Sequence, residues 1–200
     1  MNKLIKMIMV ILLLGAISVC VEVTCWADFE DLGVGARPIG MGNAYTALAD
    51  DVNAIYYNPA GLAQLDESQF TRGYSKTGFS TDLGLLYKFN REYSLGLSLI
   101  DINQPHMDLK DNKSRVPIGI RSGFLYNSDF LTFAFDTTFR NGDVNVYSGA
   151  EKWFSNRTFG VRAGLGVGSR RFSNLALGAS YAKYLFQFDY AFLYPLSGIR

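Results

Sequence analysis

The chain has 200 residues, of which 19 are basic, 18 acidic and one a histidine, giving a formal net charge of +1. This length suffices for one domain, and the even balance of charge argues against nucleic-acid binding, which requires a clustered basic surface. Aromatic residues make up 14% of the chain and glycine contributes 20 residues. Beyond its first residues, the chain has no apolar stretch of the roughly 20 residues that a membrane helix needs.

Residues 1–27 have the pattern of a secretory signal. Lys3 and Lys6 precede an apolar run at residues 7–19, which is too short to span a bilayer of about 30 Å. The small side chains that follow it predict cleavage before Asp28. Lipidation at Cys20 is a weaker alternative, because the residue before it is valine rather than a small residue.

Cleavage would change the chemistry of the mature chain. Both cysteines, Cys20 and Cys25, would be removed, so we expect no disulfide, no thiolate nucleophile and no thiolate metal ligand. Lys3, Lys6 and Glu22 would also be lost, which leaves 17 basic and 17 acidic side chains of the original 19 and 18. The mature protein is therefore predicted to be neutral.

Residues 28–67 are predicted to form a short helical plug or hatch ahead of the strands. Apolar residues recur there at intervals of three and four, which indicates an amphipathic helix, at Met41, Ala44, Tyr45, Leu48, Val52, Ile55 and Tyr56. Asn43 is a candidate N-cap for this helix. Asn58 and Pro59 predict a second helical start that continues through Ala60 and Gly61, because proline suits the first helical position.

Two acids, Asp50 and Asp51, fall where the first helix should end. Negative charge is unfavourable at a helix C-terminus by about 0.3–1 kcal/mol. We therefore expect these carboxylates to cap the next turn or to pair with arginines of the strands.

Residues 68–200 have the alternating pattern of a long series of strands with two different faces. The clearest segments are 82–90, 93–101, 117–126, 130–139, 159–168, 175–181 and 186–194. Residues 144–154 are less regular, because Glu151 and Lys152 place polar groups on both faces. The connections are short and rich in turn residues, except for the long one at residues 102–115.

Two architectures fit this pattern: a soluble β-sandwich and an antiparallel up-and-down transmembrane β-barrel. The bulky faces carry aromatics towards their ends, which favours lipid contact. The opposite faces are small or charged and predict a polar lumen with Arg121, Asp136, Arg162 and Asp189. About nine strands are visible, whereas bacterial single-chain barrels have even numbers, so we expect 9 to 10 strands and a barrel that is incompletely closed or continues past Arg200.

The strings GMGNAYTA, ALADD and YNPAG, within residues 40–61, and DYAFLYPLSG at residues 189–198 resemble FadL-type long-chain fatty-acid transporters and, more closely, PorV-type outer-membrane proteins. The resemblance implies a bacterial outer-membrane barrel with an N-terminal hatch. Only Asn58, Pro59 and Ala60 can be matched to the hatch motif of the FadL type. Barrels of both types are larger, and their lipid-binding residues have no match in this chain.

Three roles follow as hypotheses. The first is binding or passage of small hydrophobic molecules across the outer membrane, with residues 28–67 as a movable hatch. The second is a barrel that does not transport but anchors or shuttles proteins of a secretion system, and the third is a purely structural outer-membrane protein. In a narrow barrel, where side chains fill most of the interior, a fixed plug is favoured over a gate. A soluble secreted sandwich is the remaining alternative.

No motif predicts catalysis, a cofactor or a metal ion. His106 is the single histidine and lies in the long connection, without the second imidazole or thiolate that a metal or acid–base site would use. The glycines at residues 164–168 imitate a nucleotide-binding loop but lie inside an alternating strand with no helix after it. The sequence thus predicts a protein that is not an enzyme and whose partners are outer-membrane lipids.

Overall fold

The computed structural model describes residues 33–65, 80–109, 112–169, 173–184 and 186–196. The N-terminal part contains two short α-helices, α1 (Ala36–Gly40) and α2 (Ala54–Tyr57), and a 3-10 helix (Pro59–Gln64). Ten strands follow: β1 (Leu83–Lys88), β2 (Tyr93–Ile100), β3 (His106–Leu109), β4 (Asn112–Arg115), β5 (Gly119–Asn127), β6 (Thr132–Arg140), β7 (Asp143–Phe154), β8 (Phe159–Gly168), β9 (Ser173–Lys183) and β10 (Phe186–Pro195). The predicted signal and residues 68–79 lie outside the described residues.

Eight strands form one antiparallel sheet in the order β1-β2-β5-β6-β7-β8-β9-β10. Each strand pairs with the next one of the sheet along the chain, while β3 and β4 form a separate two-stranded ribbon within the long connection. The prediction of an all-β, up-and-down antiparallel architecture is confirmed. In the described part of the chain, β1 and β10 do not pair with each other, so the sheet is open there.

The two faces of the sheet differ in chemistry and in exposure. On the outer face, large apolar side chains are exposed, such as Leu85 at 61% and Phe188 at 67%. On the opposite face, which we call the inner face, the charged side chains of Asp136 and Arg162 are almost fully buried. This arrangement is the reverse of the usual soluble pattern, in which buried positions are mostly apolar.

Residues 33–65, which we call the plug, cover the inner face. Met41, Tyr45 and Ala47 pack with Leu125 and Tyr147 of the sheet in the main apolar cluster. Helix α1 contacts β8, β9 and β10, whereas the 3-10 helix contacts β1. The plug therefore reaches from one edge of the sheet to the other.

The prediction of a first amphipathic helix that begins at Asn43 and ends near Asp50 and Asp51 was wrong. The chain makes turns between α1 and α2, and Gly42 and Asn43 adopt left-handed backbone conformations with φ of 63° and 70°. Residues off the predicted stripe, such as Thr46 and Ala47, are buried as well. Because the segment is enclosed on several sides, its apolar spacing did not determine its conformation.

Tight turns connect the strands, as their composition predicts. Asn141 and Gly142 join β6 to β7 with φ of 53° and 82°, the left-handed pair typical of a two-residue hairpin turn.

Strand β7 itself is regular: Tyr147, Gly149 and Glu151 are all buried on the inner face. Glu151 and Lys152 lie on opposite faces, as the sequence indicates, and the strand nevertheless runs without interruption from Asp143 to Phe154. No helix in the described ranges is both long and apolar enough to cross a membrane.

Candidate functional site

The candidate site is the interface between the plug and the inner face, and its first component is a row of glycines. A side chain at Gly96 would collide with the backbone of Thr46, and side chains at Gly149 and Gly164 would collide with Met41 and its neighbour Gly42. Gly96 faces Gly123 across β2 and β5, and Gly149 faces Gly164 across β7 and β8. Glycine is needed at these positions because the plug backbone lies directly on the strands.

A buried carboxylate fixes the middle of the plug. Asp136 of β6 accepts hydrogen bonds from the backbone amides of Tyr45 at 2.7 Å and Thr46 at 2.6 Å. The Asp136 side chain is 1% exposed, and hydrogen bonds to a charged acceptor are among the stronger ones in proteins. The sheet thereby supplies an acceptor to two neighbouring backbone amides of the plug.

A network of ion pairs joins the start of the plug to three strands. Arg37 donates to Asp50 at 2.5 Å and to Glu151 of β7 at 2.9 Å, and its guanidinium lies 3.5 Å from Asp51. Arg162 of β8 donates to the same Glu151 at 2.8 Å. The six side chains, which we call the ion network, are Arg37, Asp50, Asp51, Glu151, Arg162 and Asp189.

The far end of the ion network reaches the edge strand β10. Arg162 donates to Asp189 at 3.1 Å, and Ser180 of β9 contacts both side chains. Glu151 and Arg162 are 1% and 0% exposed, so these charges are stable only as partners of each other. The ion network thus couples α1 to β7, β8 and β10.

Tyr45 adds a hydroxyl to the same cluster. It donates to Asp51 at 2.7 Å and accepts from Arg37 at 2.9 Å. Burial raises the pKa of the Tyr45 hydroxyl well above its usual value; Arg37 opposes this shift, while Asp50 and Asp51 add to it. The hydroxyl therefore stays protonated and remains a donor to the carboxylate.

Asn58 holds the end of the plug against the first strand. Its amide donates to the carbonyls of Thr46 and Leu85, both at 3.0 Å, and its side-chain oxygen accepts from the backbone amide of Ala60 at 3.2 Å. The predicted capping role of Asn58 is confirmed, with Pro59 beginning the 3-10 helix. Gly61 belongs to the same helix and fits closely against the backbone of Ala49.

The remaining predicted residues have specific contacts as well. Asn43 does not cap a helix; its side-chain oxygen accepts from the Tyr57 hydroxyl at 2.9 Å. Arg121 is buried, donates to the backbone carbonyl of Tyr56 at 2.7 Å and lies over the Tyr56 ring. Asp51 caps the next turn by accepting from the amide of Asn53 at 2.8 Å. Asp50 pairs with Arg37 of the plug rather than with a strand arginine.

Sequence reasoning missed the two residues at the centre of the ion network. Glu151 lies two residues after Gly149 in β7 and therefore on the same face of the strand. This spacing was the sign in the sequence that Glu151 faces inward. Arg37 has no local signal, because its partner Glu151 lies 114 residues away along the chain.

A cavity of about 930 Å³ opens beside the plug at the end of the sheet where β5 turns into β6. Arg37, Asp50 and Glu151 line it, together with Trp153, which has the same parity in β7 as Glu151. In the described residues, no cluster of histidine, cysteine, aspartate and glutamate has a geometry that could hold a metal ion.

No family model matches the chain, and no curated protein or solved structure matches it either.

Proposed function

We propose that the chain is a β-barrel protein of the bacterial outer membrane whose lumen is filled by its own plug. The observation that carries this proposal is the contrast between the faces of the sheet, with exposed apolar side chains outside and buried charges inside. A lipid-facing outer surface requires this arrangement. A soluble sandwich would instead bury its apolar faces.

Closure of the sheet is part of the proposal. In hydrocarbon, each unpaired backbone group costs several kcal/mol, so edge strands such as β1 and β10 need partners. The plug contacts both of these strands, which supports curvature of the sheet around it.

We propose that the barrel anchors or carries other proteins rather than forming an open pore, as the PorV-type resemblance implies. Support comes from the strength with which the plug is held. The ion network, the two amides bound by Asp136 and the glycine contacts would all have to be broken before the plug could move. Breaking one buried ion pair alone costs about 3–5 kcal/mol.

Binding or passage of small hydrophobic molecules, as in FadL-type proteins, is the second candidate. It is supported by the cavity beside the plug, whose wall includes Tyr126, Phe130 and Trp153. Passage would require displacement of the plug, whereas binding in the cavity would not.

Fractionation tests the membrane proposal. The full chain, expressed in a Gram-negative host, is expected in the outer-membrane fraction and to migrate differently on gels before and after heating. A protein that remains in solution without detergent and shows no heat-dependent migration would refute it.

Vesicle experiments separate the two candidate roles. A non-transporting barrel should neither conduct ions nor accelerate entry of a fluorescent fatty acid into vesicles, and it should retain a partner protein when purified from native membranes. Saturable fatty-acid entry that is abolished by cross-linking α1 to β8 would favour passage instead. As a control, a cross-link of equal length between the neighbouring strands β5 and β6 should leave entry unchanged.

A further inference from the structure

One end of the sheet carries an excess of positive charge. The turns β1–β2, β5–β6, β7–β8 and β9–β10 all lie at this end, because consecutive strands of the sheet alternate in direction. The described residues of these turns and the strand ends beside them include two acids, Glu92 and Asp129, and five basic side chains, Lys88, Arg91, Lys152, Arg157 and Lys183. In the described part of the chain, none of the five basic groups has a carboxylate within ion-pair distance. We call this end the basic end.

Two of these charges lie on the outer face, next to aromatic rings. Side chains alternate between the faces of a strand, which places Lys152 and Lys183 on the outer face of β7 and β9. The ammonium group of Lys152 lies 3.2 Å from the centre of the Phe130 ring and 5.3 Å from that of Phe154. That of Lys183 lies 5.6 Å from the centre of the Tyr184 ring. Aromatic faces attract a cation but do not neutralise its charge.

Exposed aromatic side chains form a belt around the same end. The belt includes Phe130, Phe154, Phe159, Tyr181, Tyr184 and Phe186, which are between 39% and 95% exposed. At the opposite end, the exposed outer positions are mostly aliphatic, such as Ile118 and Val167. Aromatic girdles mark the depth at which a barrel leaves the hydrocarbon and enters the headgroup region. In a membrane, the belt would therefore hold both lysines at the level of the lipid phosphates.

The turns indicate which leaflet these lysines meet. The long connection with β3 and β4 lies at the opposite end of the sheet. Barrels of the outer membrane have short turns on the periplasmic side and longer loops outside. The basic end then lies in the periplasmic leaflet, where an ammonium group without a carboxylate partner attracts anionic headgroups.

We propose that Lys152 and Lys183, together with the aromatic belt, bind anionic phospholipid headgroups of the periplasmic leaflet. This inference rests on the proposed membrane location and adds to it a lipid preference and an orientation. Its lipid contacts are on the outer face, so they do not depend on the plug or on passage of any molecule through the barrel.

Fluorescence quenching by brominated lipids tests the site next to Lys152 in the full chain, reconstituted in vesicles. A Trp26→Phe and Trp153→Phe background removes both native tryptophans, and Phe154→Trp then serves as the reporter. We expect brominated phosphatidylglycerol to bind at this reporter about fivefold more strongly than brominated phosphatidylcholine, which corresponds to one lysine near an anionic surface. The preference should decrease at high salt, since exposed charges are screened there.

Matched variants locate the preference. Lys152→Gln should abolish it, whereas Lys88→Gln should leave it unchanged, because Lys88 lies at the same end but on the inner face with Gly84. A reporter at the opposite end, Val167→Trp, should show no preference. If the background without tryptophan does not fold, spin-labelled lipids allow the same comparison between the parent and Lys152→Gln.

The outcomes separate this inference from the membrane proposal. Equal quenching by the two lipids, an unchanged preference in Lys152→Gln, or an equal loss in Lys88→Gln would overturn the lipid site and leave the membrane location intact. Stronger competition by lipopolysaccharide than by phosphatidylglycerol would overturn the assignment to a phospholipid. No quenching by either lipid would overturn both proposals.

Discussion

Replacement of Glu151 by glutamine should loosen the plug more than any other conservative change in the ion network. Glu151 is the shared acceptor of Arg37 and Arg162, at 2.9 and 2.8 Å. The glutamine would keep the size of the side chain but remove the charge that both buried guanidinium groups require. Breaking a buried pair costs about 3–5 kcal/mol. Because Arg37 keeps Asp50 and Arg162 keeps Asp189, we expect the lower end, about 3 kcal/mol.

Urea unfolding of the protein in phospholipid vesicles, followed by gel migration, measures this loss. With a slope of about 2 kcal/mol per molar urea, the midpoint should fall by about 1.5 M. The control is Glu92→Gln, the same chemical change at an exposed rim position, which should stay within about 0.5 kcal/mol of the parent. A loss below about 1 kcal/mol for Glu151→Gln, or an equal loss for Glu92→Gln, would refute the view that buried charge holds the plug.

Three further predictions address the inner face, the outer face and the plug. Gly164→Val should destabilise the folded protein by at least about 3 kcal/mol, because the new side chain displaces the plug backbone, whereas Ala163→Val on the outer face of the same strand should cost under about 0.5 kcal/mol. Equal unfolding midpoints for the two variants would contradict the glycine contacts. Leu165→Arg should cost about 2–4 kcal/mol in vesicles and Phe159→Arg at the strand end only about 0–1, and the absence of this depth dependence would argue against a lipid-facing surface. The pKa of Tyr45 is raised in the folded state, so the stability that this hydroxyl contributes is present below the unfolded pKa of about 10 and is lost as the pH rises above it. We therefore expect the unfolding midpoint to fall less steeply above about pH 10 in Tyr45→Phe than in the parent.

The sheet could be predicted from the sequence because strand faces repeat with a period of two. Once one residue of a strand is assigned to a face, its neighbours follow, and Arg121, Asp136 and Arg162 were placed on the inner face on this basis. The capping role of Asn58 was predictable for a similar reason, because it depends on residues immediately beside it. These features are local or strictly periodic.

The plug and the ion network could not be predicted in the same way. The conformation around Asn43 depends on Asp136 and on the glycines beneath it, which lie far away in sequence and override helical spacing. The role of Arg37 depends on Glu151. Glu151 is followed directly by Lys152, which lies on the outer face, so this pair of opposite charges did not show that one of them is buried. Pairings of this kind depend on how the plug lies on the completed sheet. That arrangement cannot be predicted from any short stretch of sequence.

The glycine row also has a consequence for the order of assembly. Neighbouring strands of the sheet pair through mostly short connections, so the sheet can grow progressively along the chain. The plug, although it comes before the strands, contacts positions from Gly84 in β1 to Gly178 in β9. Because α1 also contacts β10, the binding surface of the plug is complete only after β10 has paired, and we expect docking of the first segment in the last stage of folding. Until then the inward charges remain hydrated, and their desolvation is coupled to the step that completes the molecule.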